Sequence, residues 1–170
     1  MVARAGGGAG EVHAGAARPM RIGLHATAVH GDAGVGGVAL PEPLAPIAST
    51  DGVAYLRASL AARPDGITLC CLGPLTNPGL ALEQDGAFLN AARRVVIMGG
   101  SSERGNVTEF AEFNFDVDPD AAQLVFHSGA ELVMIGLNLT RQVPITPARV
   151  AQIGTVGTRS ARAARDMLTV

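Results

Sequence analysis

At 170 residues the chain has room for one domain with a real core, and 48% hydrophobic against 16% charged residues argues against disorder. A net charge of −2 with scattered arginines gives no basic stripe, which counts against nucleic acid and anionic membrane as partners and favours small neutral ligands. No apolar run reaches the roughly 18 residues that span a bilayer, and Met1 to Gly10 lacks the apolar centre of a signal peptide, so the expected location is the cytoplasm.

Residues 1–10, MVARAGGGAG, are glycine-rich without periodicity and read as a disordered lead without function; residues 11–170 read as one incomplete α/β domain. Val12 to Ala14 reads as a short strand, and Gly15 to Pro41, rich in Gly and Pro, as a long functional loop or lid. Asp51 to Ala62 has helical spacing, with Val53, Leu56 and Leu60 on one face and Pro64-Asp65-Gly66 ending it. Three strand-then-helix units follow. Ile67 to Leu72 is a continuous apolar run, the mark of a parallel strand buried on both faces, followed by a crossover helix over Thr76 to Ala92. Cys70 and Cys71 are adjacent, a spacing unsuited to an ordinary disulfide, and read as buried strand filler. Val95 to Met98 is the second strand; Asp118 is the expected N-cap and Pro119 the first residue of a helix that Gly129 closes. Leu132 to Leu137 is the third strand, followed by Thr146 as N-cap and Pro147 before a helix over Ala148 to Ile153. The fold class expected is α/β, a partial doubly wound, mainly parallel sheet with flanking helices.

The run from Met98 to Asn114, MGGSSERGNVTEFAEFN, places polar groups suited to a sugar directly after an apolar strand. The paired glycines let the backbone turn steeply, and Asn106, Glu112 and Asn114 offer donors and acceptors for hydroxyls. Glu112 and Asn114 stand two apart, so in extended chain both face one side. The motifs Gly73 to Asn77, Gly99 to Asn114 and Asn138 to Thr140 all follow strand ends, where ligands sit in open parallel sheets.

These segments, MGG, GN, AEFN and VDPDAAQLVF, together with GAARP (15–19), HGD (30–32), GG (36–37), LP (40–41) and LGPLTN (72–77), resemble in order the inosine-uridine preferring nucleoside hydrolase family. The resemblance implies a nucleoside hydrolase-like α/β fold and an enzyme that hydrolyses the N-glycosidic bond of purine or pyrimidine ribonucleosides, in base salvage. It implies that Asn106, Glu112 and Asn114 bind ribose hydroxyls with Met98 packing on the sugar, and that Thr76 gives its backbone carbonyl to a Ca2+ ion. A helix cap is the alternative for Thr76, and the two are compatible. For Glu112 the alternative is an exposed loop carboxylate. His30 is placed by the resemblance over the nucleobase, where it contacts the leaving group; the alternative is an ordinary loop histidine. Asp116, Asp118 and Asp120 alternate as in a calcium loop but lack its other ligands and glycine. Asn138 shapes the pocket floor or serves structure alone.

Two family elements are missing. The family opens with an aspartate cluster, D-x-D-x-x-x-D-D, that supplies calcium ligands and the base, and near its end carries a His-Asp pair. Neither occurs within these 170 residues, so the chain reads as an internal piece, inactive alone. The alternatives are a non-catalytic riboside-binding or assembly remnant and a nucleotide-binding Rossmann domain. The second is disfavoured because Gly34-Val35-Gly36-Gly37 and Gly99-Gly100 lack G-x-G-x-x-G spacing after a strand. Partners implied are small-molecule ribonucleosides, with homo-oligomerisation left open.

Overall fold

Three short apolar segments supply the strands: β1 (Thr68–Cys71), β2 (Arg94–Met98) and β3 (Leu132–Ile135). They form one parallel sheet in the order β1-β2-β3, with Leu69 opposite Val95 and Cys71 opposite Ile97, and Val95 opposite Leu132. The computed structural model describes residues 10–23, 38, 40 and 46–169. Contacts divide the chain into two units, one of His13–His25 and Ser49–Val143, the other of Met1–Val12, Ala26–Ala48 and Pro144–Val170. The expected disordered lead falls outside the described residues except for Gly10, as do His30, Asp32 and the glycines at 34, 36 and 37.

The first unit holds the sheet. Helix α1 (Gly52–Ala62) starts where Asp51 accepts the Ala54 N–H through its side chain. Helix α2 (Thr76–Gln84) follows β1, and a 3-10 turn, Phe88–Ala91, leads into β2. After β2 come α3 (Phe113–Val117) and α4 (Pro119–Phe126), and after β3 the short α5 (Leu137–Thr140). Leu60, Leu75, Ala81, Leu89, Val95, Ile97, Ala121 and Val125 build the core, so α1, α2 and α4 all pack on the sheet face that carries Val95 and Ile97. The expected N-caps Asp118 and Thr146 are in place, accepting from Ala121 N–H and Arg149 N–H. Val12 to Ala14 is reduced to a single parallel bridge, His13 to Ser49, with the His13 ring stacked on Tyr55.

Several expectations need correction. The helix expected over Thr76 to Ala92 breaks after Gln84, because Asp85 turns extended and its side chain takes the Ala87 N–H, a local competitor of the helix. β1 is not buried on both faces: Thr68 and Cys70 are exposed while Leu69 and Cys71 are half-buried. Cys70 is therefore surface, not filler. The extended chain expected over Glu112 and Asn114 stops at Glu112, whose backbone is extended and which caps α3, while Asn114 lies inside the helix.

The second unit carries the helix pair α6 (Pro147–Thr155) and α7 (Arg159–Met167), the latter opened by Thr158 accepting from Ala161 N–H. A cleft of about 800 Å³ lies along the pair, lined by Ile145, Val150, Leu168 and the adjacent Arg165 and Asp166.

Candidate functional site

Because the strands are parallel, the segments that follow them gather at one end of the sheet. Met98 closes β2, and Gly99 and Gly100 then turn the chain, Gly100 at φ +67°, a conformation glycine adopts without cost. A side chain at Gly100 would meet the Phe115 ring at 2.8 Å, so the absence of a Cβ lets α3 pack directly on this turn. Glu112, only 3% exposed, accepts the Gly100 N–H at 2.8 Å through Oε2, which also takes the Phe115 N–H at 3.3 Å. The carboxylate thus caps α3 and fixes the turn at once.

Asn114 Nδ2 donates to the Met98 carbonyl at 3.0 Å and lies 3.3 Å from Met98 Sδ. Asn106 Oδ1 accepts the Phe113 N–H at 2.9 Å, tying the loop to the first turn of α3. That loop is closed by Gly105 N–H to Glu109 O and Asn106 N–H to Ala111 O, and Arg141 donates to the carbonyls of Arg104 and Gly105, both at 2.8 Å. Met98, Asn106, Glu112 and Asn114 are therefore brought together by one turn, one loop and one short helix. Leu137 N–H donates to Gly100 O at 2.9 Å, joining the end of β3 to the same turn. Beside it Asn138 Oδ1 is buried without a protein partner.

The residue that sequence reading undervalued is Asp118, fully buried. Its Oδ2 accepts from Thr76 Oγ1 at 2.6 Å and from Met20 N–H at 2.9 Å, and its Oδ1 from Ala121 N–H at 3.1 Å. One carboxylate joins the start of α2, the loop before it in sequence and the start of α4. Thr76 does not cap α2 through its side chain; its hydroxyl goes to Asp118. Asn77 Oδ1 accepts the Ala16 N–H at 2.8 Å, and a Cβ on Gly15 would lie 2.6 Å from that oxygen, so the glycine allows the loop to close on Asn77. A cleft of about 180 Å³ opens here, with Arg18, Thr76, Asn77 and Val117 in its wall. The signal for Asp118 was its double duty as an N-cap before proline.

Comparison with known proteins places these features in a family. The family described as inosine-uridine preferring nucleoside hydrolase matches residues 1–170. The chain is 44% identical over 144 residues to the pyrimidine-specific ribonucleoside hydrolase RihB of Escherichia coli O157:H7, covering 84% of this chain and 46% of that protein. It is 43% identical over 140 residues to the non-specific ribonucleoside hydrolase RihC of Shigella sonnei, covering 82% and 46%. Among solved structures, a purine-preferring ribonucleoside hydrolase from Gardnerella vaginalis superposes with a TM-score of 0.77 at 31% identity, over 82% of this chain and 44% of that one. The chain spans about half the length of the curated relatives it matches. It belongs to the inosine-uridine preferring nucleoside hydrolase family.

Proposed function

We propose that this chain carries the pentose-holding part of a ribonucleoside N-glycosidase, a hydrolase that splits purine or pyrimidine nucleosides into ribose and free base. The observation that carries the reading is the gathering of Asn106, Glu112 and Asn114 around the Gly99–Gly100 turn at the end of β2. Each has capacity left after its structural bond. Asn106 keeps two N–H donors, Asn114 keeps its carbonyl oxygen, and a carboxylate such as Glu112 offers about four acceptor positions in all. Sugar hydroxyls are both donors and acceptors, and groups held rigidly by backbone bonds discriminate against a ligand that lacks one. Met98, half-buried beside Asn114, offers the sugar an apolar, adaptable contact. Asn138, with its buried unpartnered oxygen, belongs to the floor of the same pocket in this reading.

Calcium is part of the family's chemistry, where it orients the sugar hydroxyls and the water. Thr76 enters the reading as a backbone carbonyl donor, one oxygen of the 6–8 that calcium takes. Both oxygens of Asp118 are already in hydrogen bonds, and the described residues hold no group of three or more His, Cys, Asp or Glu able to bind a metal. The described donor set does not fit calcium. His30 contributes a leaving-group contact in this reading, from outside the described residues. Partners are small-molecule ribonucleosides in the cytoplasm, in base salvage, without nucleic acid or membrane, and self-association is open.

A second reading, a riboside-binding chain without turnover, is favoured by the lack of a D-x-D-x-x-x-D-D cluster in the 170 residues. Titration of the chain with uridine, inosine and free ribose, followed by NMR, tests what the two readings share. Saturable binding weakened about tenfold in Asn114→Ala and Glu112→Gln is expected, a loss of about 1.4 kcal/mol. Absence of saturable binding, or binding indifferent to both substitutions, would remove the pentose site.

A further inference from the structure

We propose that Arg141 is a positioning residue of the pentose site: its guanidinium holds the loop that ends in Asn106 where the Asn106 amide can meet a sugar hydroxyl. This role rests on the pentose reading and adds to it a side chain from the segment after β3. The loop cannot be held by packing. Of residues 101–110 only Gly105 is buried, and Phe110 is 79% exposed. With so little apolar surface removed from water, hydrogen bonds have to fix it. Most of them are local: Gly105 N–H to Glu109 O, Asn106 N–H and Val107 N–H to Ala111 O, the Ser101 hydroxyl to Arg104 O, and Phe113 N–H to Asn106 Oδ1. Such bonds shape the loop on itself and on the first turn of α3. Among the described residues, the two from Arg141 to Arg104 O and Gly105 O are the only hydrogen bonds of residues 101–111 that leave 101–113, and they reach across 37 and 36 positions.

The arginine is itself fixed to the sheet end. Its backbone N–H donates to Leu137 O, closing α5, and Leu137 N–H donates to Gly100 O. One helical turn therefore pins the segment 100–105 at both ends, Gly100 at its start and Arg104 and Gly105 at its close. Two successive carbonyls face one guanidinium, an arrangement that suits a planar fork of N–H donors and not a single ammonium on a flexible stem. Gly105 lets the chain turn this way, because a Cβ there would run into the backbone of Ala111 and Thr108. The next residue is Asn106, exposed, with its Oδ1 taken by the Phe113 N–H and its two amide hydrogens left for a ligand. A shift at Gly105 passes directly to that amide, and a binding group about 1 Å out of place is the usual failing of a site whose supporting residues are lost.

A double-mutant cycle on the full chain, read by NMR titration with uridine, tests the role. Arg141→Ala is expected to weaken uridine binding about tenfold while leaving the melting midpoint unchanged. In an Asn106→Ala background the same substitution should weaken it by about twofold or less, because the group it positions is already gone. Arg141→Lys keeps the charge without the fork and should bind as weakly as Arg141→Ala. In the ligand-free chain, the backbone signals that move in Arg141→Ala should be those of residues 100–113 and 137–142. Parent-like binding by Arg141→Ala or Arg141→Lys overturns the positioning role and leaves the pentose reading standing. An equal loss in both backgrounds, a lowered melting midpoint, or shifts spread over the core would make Arg141 a general support of the fold and overturn it too. Absence of uridine binding in the parent chain is the separate outcome that removes the pentose site, and this role with it.

Discussion

A single buried carboxylate, Asp118, accepts three hydrogen bonds from three parts of the chain. Removing it leaves the buried Thr76 hydroxyl and Ala121 N–H and the part-buried Met20 N–H without their acceptor, and each orphaned buried group costs about 1–3 kcal/mol. Asp118→Ala is therefore expected to lower unfolding free energy by about 3 kcal/mol or more, read as a shift in urea midpoint at constant slope. Thr76→Val in the same background should add far less than it costs alone, since the two residues share one bond. Cys71 supplies a pH dependence. Burial first, and the neighbouring Cys70 second, push its thiol up from 9.0 to about 11. Between those values the unfolded chain releases this proton while the folded one keeps it, so stability falls as pH rises from 9 to 11. With partial exposure discounted, the loss is about 1–2 kcal/mol. Urea titrations at pH 8.5 and 10.5 should show it, and Cys71→Ala should flatten that part of the slope.

At the scale of elements, the contact between α2 and α4 has no slack. A Cβ on Gly79 would lie 2.7 Å from Ala121 Cβ, 2.9 Å from Ala121 Cα and 2.8 Å from Met20 Sδ. Backbone would have to move, so Gly79→Ala, favourable in an open helix by propensity, is expected to destabilise by about 1–3 kcal/mol. A melting midpoint equal to or above that of the parent would show that the helices can separate freely. The same elements show what could be read from the chain. Asp118 and Thr146 were legible as N-caps because capping is local: the acceptor and its N–H lie three residues apart. The three apolar strands were legible for the same reason. Helix α3 was not, because Glu112-Phe113-Asn114 alternates like a strand, and only the long-range bond from Gly100 N–H shows that Glu112 is a cap. Nor was the exposure of Cys70, since an apolar run does not say which face of its sheet a helix will cover. Asn106, Glu112 and Asn114 were readable together as polar groups after an apolar strand, and Met98 joined them only through the family resemblance, whereas the bond that joins Thr76 to Asp118 spans 42 positions and had no local signature.

For the whole molecule the decisive question is whether holding a riboside is enough to break it. Cleavage of an N-glycosidic bond needs a group to activate water and charge placed to stabilise a cationic sugar. Glu112 is near the proposed sugar, but its Oε2 is held by two backbone N–H groups and its position is fixed by the cap it forms. Asp118 is closed off, with both oxygens occupied. The 170 residues contain no D-x-D-x-x-x-D-D run to supply a second set of carboxylates. The full chain with added calcium is therefore expected to release no ribose from inosine or uridine above the buffer rate in a reducing-sugar assay, while still binding both in the NMR titration. Turnover well above that rate would mean that some other group in the chain serves as the base. Glu112→Gln and Asp118→Asn would then be the first variants to assay, because an activity lost in Glu112→Gln with binding retained would assign the role to the cap of α3.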